Sequence, residues 1–189
     1  METKRQMNSD PLYVRYKDKR YDINTNYKVA LKCIKVANDQ NISELERVLA
    51  IEYMLFNALS RDPEEVRYLW DKAEKYLRCG ETKAEHEDRT RDMDFDYDYN
   101  YIEASFQSDY GMDLSKEDIS WYRFMRLLCG LTEDSILSRI RNIRTMDLSD
   151  VDPKHRGKVA KAKEELALPK EYSDEEAAAI DAFDAMFGD

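Results

Sequence analysis

Residues 121–130 read Trp-Tyr-Arg-Phe-Met-Arg-Leu-Leu-Cys-Gly, and they show the clearest helical pattern in the chain. Their large apolar side chains recur every three or four residues: Trp121, Phe124, Met125 and Leu128. This spacing places them on one face of an α-helix, and Gly130 ends the segment as glycine commonly ends a helix. Ser115 is expected to cap the amino end. The stretch therefore predicts a helix with a core-facing aromatic side, and it leaves Tyr122 off that side as a candidate partner-binding residue.

Similar patterns recur on both sides of this stretch. Thr25 or Asn26 can cap a helix that runs to about Asn38, and Ser43 with Glu46 forms a capping box for the next. Asp62 followed by Pro63 is a typical start for a third. Further helical periodicities cover approximately residues 95–110, 132–146 and 154–168. The sequence predicts a mainly α protein, a multi-helix bundle of about six to seven helices.

Two of these helices carry apolar stripes that we expect to face the core. The helix after Ser43 has a wide stripe, interrupted by one acid: Leu45, Val48, Leu49, Glu52, Leu55, Phe56 and Leu59. The helix after Thr132 has a narrower one: Ile136, Ile140, Ile143 and Met146. Both stripes follow the 3.6-residue period of an amphipathic helix.

A short β-hairpin is predicted before the first helix. Residues 13–17 and 20–23 are rich in tyrosine, valine and isoleucine, which favour strands. Asp18 and Lys19 would form the two-residue turn between them.

Composition and charge suggest how the chain is divided. Residues 1–12 are expected to be a disordered N-terminus, and residues 13–80 to contain the hairpin and the first helical half. Residues 81–94 are polar and without periodicity, which is typical of a charged loop or linker. Residues 95–170 form the second helical half, either in the same domain or loosely joined to it. Residues 171–189 form an acidic tail with seven acids and no base.

The sequence offers no catalytic motif, and we expect a protein that is not an enzyme, needs no cofactor and binds no metal. The acids between Asp92 and Glu103 have partly the spacing of a calcium loop, but Tyr97 occupies the position that needs glycine. The net charge of −10 argues against binding nucleic acid. A DNA-binding regulator nevertheless stays open as an alternative because Arg141 and Arg144 share one helix face. No apolar run is long enough to span a membrane.

The acidic tail is the second candidate partner-binding segment. Its apolar residues have helical spacing among the acids: Ile180, Phe183, Met186 and Phe187. A helix this short is marginal by itself, so it would become ordered either in the groove of a partner or against its own domain.

Three ordered segments resemble one protein family. They are Asp22-Ile-Asn-Thr-Asn-Tyr-Lys-Val-Ala-Leu31, Tyr101-Ile-Glu-Ala-Ser-Phe-Gln-Ser-Asp-Tyr-Gly-Met-Asp-Leu114 and Ile119-Ser-Trp-Tyr-Arg-Phe-Met-Arg-Leu-Leu-Cys-Gly-Leu131. Together with the segment from Ile140 to Leu148, they resemble the bacteriophage gp-fifteen family of Gram-positive phages and prophages. The resemblance covers approximately residues 13–170.

This resemblance implies a function in assembling the tails of long-tailed phages. The family's genes lie between those for the tail tube and the tape measure, which is typical of tail assembly chaperones. The implied partners are the tape-measure protein and the tail tube protein, in the cytoplasm of the bacterial host. A structural component that stays in the finished tail is an alternative, and a homo-oligomer is left open.

Overall fold

The computed structural model describes residues 10–81 and 91–169. Within these ranges the chain forms seven α-helices and one antiparallel hairpin, which confirms the predicted fold class. The helices are α1 (Tyr27–Asn38), α2 (Glu44–Phe56), α3 (Pro63–Leu77), α4 (Tyr99–Tyr110), α5 (Trp121–Cys129), α6 (Ile136–Thr145) and α7 (Arg156–Glu165). The strands are β1 (Tyr13–Tyr16) and β2 (Lys19–Asp22). The chain divides into two compact units, Met1–Arg141 and Asn142–Asp189.

The hairpin is present, but its turn lies one residue earlier than predicted. Tyr16 pairs with Lys19, so the turn consists of Lys17 and Asp18, with Lys17 in the left-handed region at φ 50°. This register places Val14 opposite Tyr21, and both side chains pack against the core. Burial of these two side chains thus accounts for the register, because a one-residue shift would turn one of them outward.

The predicted starts of the first three helices are confirmed. The Asn26 side chain accepts the backbone N–H of Lys28, and the Asp62 side chain accepts that of Glu64. At α2, Ser43 and Glu46 exchange both hydrogen bonds of a capping box. Local side-chain chemistry decides these starts, since each cap satisfies N–H groups that have no partner within the helix.

The predicted cap of α5 was wrong. The helix begins at Trp121 and is capped by Ser120, whose Oγ accepts the Arg123 N–H at 3.2 Å. Backbone pairing explains why Ser115 does not start it. The Tyr27 N–H donates to the Ile119 carbonyl at 3.1 Å, and the Trp121 N–H donates to the Thr25 carbonyl at 2.7 Å. These two bonds hold the chain before Trp121 in an extended conformation.

The core of the first unit is built around the aromatic face of α5, as predicted. The Phe124 ring lies 4.8 Å from the Tyr27 ring, 5.2 Å from the Phe106 ring and 5.7 Å from the Trp121 ring, measured between centroids. The Trp121 indole N–H donates to the Leu77 carbonyl of α3 at 3.0 Å. One helix face therefore connects α1, α3 and α4.

The predicted inner face of α6 was partly wrong. Leu137 and Ile140 are buried, whereas Ile136 and Met146 are 45% and 38% exposed. The cause is a hydrogen bond from the Leu137 N–H to the buried Ser105 Oγ of α4 at 3.1 Å. This bond orients the first turn of α6 so that Leu137 faces inward.

The second unit contains α7, which confirms the helix predicted after Pro153. None of the described residues of this second unit is buried. Within this unit the Arg144 guanidinium donates to the Leu166 carbonyl at 2.7 Å, and the Lys163 ammonium donates to the Met146 carbonyl. None of the described helices combines the length and apolarity needed to cross a lipid bilayer.

Candidate protein-binding surface

The first turn of α3 holds a buried carboxylate that has three hydrogen-bond donors. Glu65 is 3% exposed, and its Oε1 accepts the Lys19 ammonium at 2.9 Å and the Tyr21 hydroxyl at 2.5 Å. Its Oε2 accepts the Ser60 hydroxyl at 2.5 Å. These contacts connect the hairpin to the start of α3 across more than forty residues of sequence.

The three donors stabilise the charged form of this carboxylate. The hydrogen bonds from Ser60, Tyr21 and Lys19 lower the pKa of Glu65 to about 2, although burial acts in the opposite direction. In the sequence, Glu65 is one of two acids in the first turn of α3, and its burial is not evident from that position. The sequence did contain a sign that Glu65 is buried, because Glu65 lies on the same helical face as the buried Leu69 and Ala73.

A second buried carboxylate lies beside the first. Glu52 of α2 is 3% exposed, and its Oε1 accepts the Ser60 backbone N–H at 2.9 Å. Its Oε2 has no hydrogen-bond partner among the described residues. Burial, and to a smaller extent the charge of Glu65, raises the pKa of Glu52. Ser60 therefore bridges two acids whose pKa values shift in opposite directions.

We expect Glu52 to make the protein less stable at higher pH. As the pH rises from about 4.5 through the raised pKa of Glu52, the folded state must ionise a buried group, which the unfolded state does more easily. Glu52→Gln should remove this dependence, because an amide has no proton to lose in this pH range. Thermal melts at pH 5 and pH 8 measure it, with the exposed Glu44→Gln on the same helix as the control. An unchanged pH dependence in Glu52→Gln would contradict the expectation.

An apolar groove lies between α2 and α3, and Ser60 and Arg61 of the connection between these helices also line it. It has a volume of about 550 Å³. Its apolar lining comes from the first turns of both helices: Leu45, Val48, Leu49, Pro63, Val66 and Trp70. Leu45 is 64% exposed. We call this feature the α2–α3 groove.

The groove corrects the prediction that the whole stripe on α2 faces the core. The buried residues of α2 are Ile51, Glu52, Leu55 and Phe56. Full burial is thus confined to the carboxyl-terminal half of the helix, whereas Val48 and Leu49 are half-buried and Leu45 is exposed. Leu59, the last residue of the stripe, lies beyond the helix and is 63% exposed. The apolar stripe therefore extends beyond the residues that α2 contributes to the core.

Charged side chains line the groove on the α3 side. Arg61 and Arg67 are exposed, and neither forms an ion pair with any described residue. The acid that lines the groove is Glu44, at the start of α2. The walls carry two positive charges and one negative charge around an apolar floor.

The residues predicted to bind partners lie elsewhere or outside the described ranges. Tyr122 is half-buried, with its ring 5.3 Å from the ring of Tyr76, and burial raises its pKa to about 12. Its partner-binding function stays a prediction. The four residues of the acidic tail lie outside the described residues: Ile180, Phe183, Met186 and Phe187. Most of the predicted linker and of the predicted disordered N-terminus also lies outside them.

Two basic side chains, one on α5 and one on α6, are paired with acids of the same unit. Arg126 binds Asp10 at 3.0 Å, and Arg141 binds Asp92 at 2.9 Å.

Cys33 is buried, which raises the pKa of its thiol to about 12. Across residues 10–81 and 91–169, no three histidine, cysteine or acidic side chains are grouped so that they could hold a metal ion.

Comparison with known proteins identifies the family. The family model described as "Bacteriophage Gp15 protein" matches residues 8–168 of the 189. The matched range contains the hairpin, all seven described helices and the α2–α3 groove. Neither the curated proteins nor the solved structures give a significant match. The match covers most of the chain, and the protein therefore belongs to the Bacteriophage Gp15 protein family.

Proposed function

We propose that this phage protein is a tail assembly chaperone, which binds the tape-measure protein and the tail tube protein while the tail is built. Its membership of the Bacteriophage Gp15 family carries the proposal, since the resemblance of its motifs implies a gene between those of the two partners. Binding is non-catalytic, and the protein acts in the cytoplasm of the host bacterium.

The surface of the first unit supports this proposal. A chaperone for a long helical protein needs an exposed apolar surface, because it must cover apolar residues that the client would otherwise expose to water. The α2–α3 groove is such a surface, with Leu45 64% exposed at its edge. Charged residues make up 37% of the chain, which favours solubility of the complex.

Co-expression with the tape-measure protein tests the proposal. We expect the tape-measure protein to co-purify with the chain and its soluble fraction to rise several-fold. The comparison is with an empty vector and with an unrelated acidic protein of similar size. A tape-measure protein that stays insoluble and does not co-purify would contradict the proposed function.

Mass spectrometry of purified phage particles separates the two functions that the family suggests. An assembly chaperone should be absent from finished particles, whereas a structural component should be present in a fixed ratio to the tube protein. Detection at such a ratio would replace the chaperone proposal with a structural function in the tail.

A further inference from the structure

We propose that the α2–α3 groove binds an amphipathic helix of a partner protein, whose apolar stripe enters the groove and whose acidic residues meet Arg61 and Arg67. The inference rests on the proposed function, for which it identifies the binding site and the chemistry of the bound segment. Three properties of the groove carry it: the spacing of its apolar side chains, the lack of polar groups on its floor and its unpaired arginines.

The spacing of the floor residues matches a helical partner. Leu45, Val48 and Leu49 stand at i, i+3 and i+4 on α2, and Val66 and Trp70 stand at i and i+4 on α3. Two helix faces of this kind form a trough for the ridge of a third helix. An extended peptide would instead need the free edge of a sheet, and neither strand of the hairpin lines this groove.

The floor favours an apolar side chain over a polar ligand. Ser60 is the one uncharged polar residue that lines the groove, and its hydroxyl and backbone N–H are already donated to Glu65 and Glu52. A polar ligand would therefore lose its hydrogen bonds with water and gain few in return. The volume of about 550 Å³ is sufficient for several apolar side chains.

The charges on the walls select the flanks of the bound helix. Arg61 and Arg67 are exposed and form no ion pair with a described residue, so both can bind a carboxylate of the partner. A basic helix with the same apolar stripe would meet two like charges. Charge complementarity of this kind determines which partner binds more than it adds to affinity.

Titration with two designed peptides tests the proposal on the full-length chain. The first is a helical peptide of about 18 residues, with leucines at i, i+3, i+4 and i+7 and glutamates on both sides of that stripe. The second has lysine in place of every glutamate. Trp70 lines the groove and the other tryptophan, Trp121, is 1% exposed, so a change in tryptophan fluorescence reports on the groove. We expect the acidic peptide to bind about tenfold more tightly than the basic one.

Charge reversal gives the decisive comparison. Arg61→Glu combined with Arg67→Glu should invert the preference, so that the basic peptide binds more tightly. The matched control is Arg123→Glu with Arg139→Glu, two exposed arginines that do not line the groove. Leu45→Glu should abolish binding of both peptides, whereas Tyr53→Glu, at a 55% exposed position of the same helix, should not. Circular dichroism and thermal melts verify that each variant is folded.

Three results of the peptide titrations would overturn the inference. The first is equal binding of the two peptides, and the second is a preference that charge reversal leaves unchanged. The third is an apo chain that forms dimers, becomes monomeric in Leu45→Glu and binds neither peptide, because the groove would then bind a second copy. Peptide binding without co-purification of the tape-measure protein would contradict the proposed function alone. Co-purification that Leu45→Glu does not weaken would contradict the groove assignment alone.

Discussion

Trp121→Ala is expected to lower the free energy of unfolding by about 3 to 5 kcal/mol, the largest effect of any single substitution proposed for this chain. The indole is 1% exposed and stacks against Phe124 at 5.7 Å, with Phe95 edge-on at 5.6 Å. Truncation leaves a cavity at the junction of α3 and α5, and it removes the donor to the Leu77 carbonyl. The part-buried Leu77 carbonyl, left without this donor, adds to the cost of the lost packing.

Urea unfolding followed by far-ultraviolet circular dichroism measures this effect. Trp121→Phe keeps most of the apolar contact and should cost about half as much, because it removes mainly the hydrogen bond and part of the ring. Trp70→Ala is the matched control, since Trp70 is part-exposed and lines the groove, and it should cost about 1 kcal/mol. Equal losses at Trp121 and Trp70 would contradict the core that we describe.

We expect Glu65→Gln to cost about 2 to 3 kcal/mol at neutral pH, the second largest effect. The substitution removes the charge that accepts hydrogen bonds from Lys19, Tyr21 and Ser60, and hydrogen bonds to a charged group are stronger than neutral ones. The ammonium of Lys19 is mostly exposed, so water compensates part of the loss on that side. The matched control is the neighbouring Glu64→Gln, whose side chain is 81% exposed and should change stability by less than about 0.5 kcal/mol.

The pH dependence distinguishes this carboxylate from an ordinary surface acid. A lowered pKa means that Glu65 stabilises the folded state above about pH 4.5, and that this contribution is lost as the pH falls towards about 2. The wild-type protein should therefore lose stability over this range more steeply than Glu65→Gln. Urea midpoints measured from pH 6 to pH 2.5 test the difference. Parallel curves for the two proteins would show that Glu65 does not have the lowered pKa.

Features that depend on neighbours in sequence could be predicted. The capping box of Ser43 and Glu46 and the N-cap at Asp62 satisfy backbone groups within one turn, so a few residues contain all the necessary information. The aromatic face of α5 has the same local origin, because the 3.6-residue period places Trp121, Phe124 and Leu128 on one side. The family resemblance also rests on ordered local motifs.

Features that depend on which elements meet could not be predicted. The cap at Ser120 rather than Ser115 follows from backbone pairing with the segment before α1, more than ninety residues earlier in the chain. The position of Leu137 on the inner face of α6 depends on a hydroxyl of α4. Hydrophobic periodicity gives the width of an apolar face, but it does not state which part of that face a neighbouring element will cover.

The candidate site illustrates this division between sequence and structure. By itself the sequence determined the existence of α2 and α3, their starts and the apolar character of Leu45, Val48 and Leu49, since these properties arise within single helices. Only the tertiary structure decided that Leu45 stays exposed while Val48 and Leu49 are half-buried, and that Glu65 meets Lys19. The physical reason is that burial and long-range hydrogen bonds are properties of pairs of elements, which form only when the chain has folded.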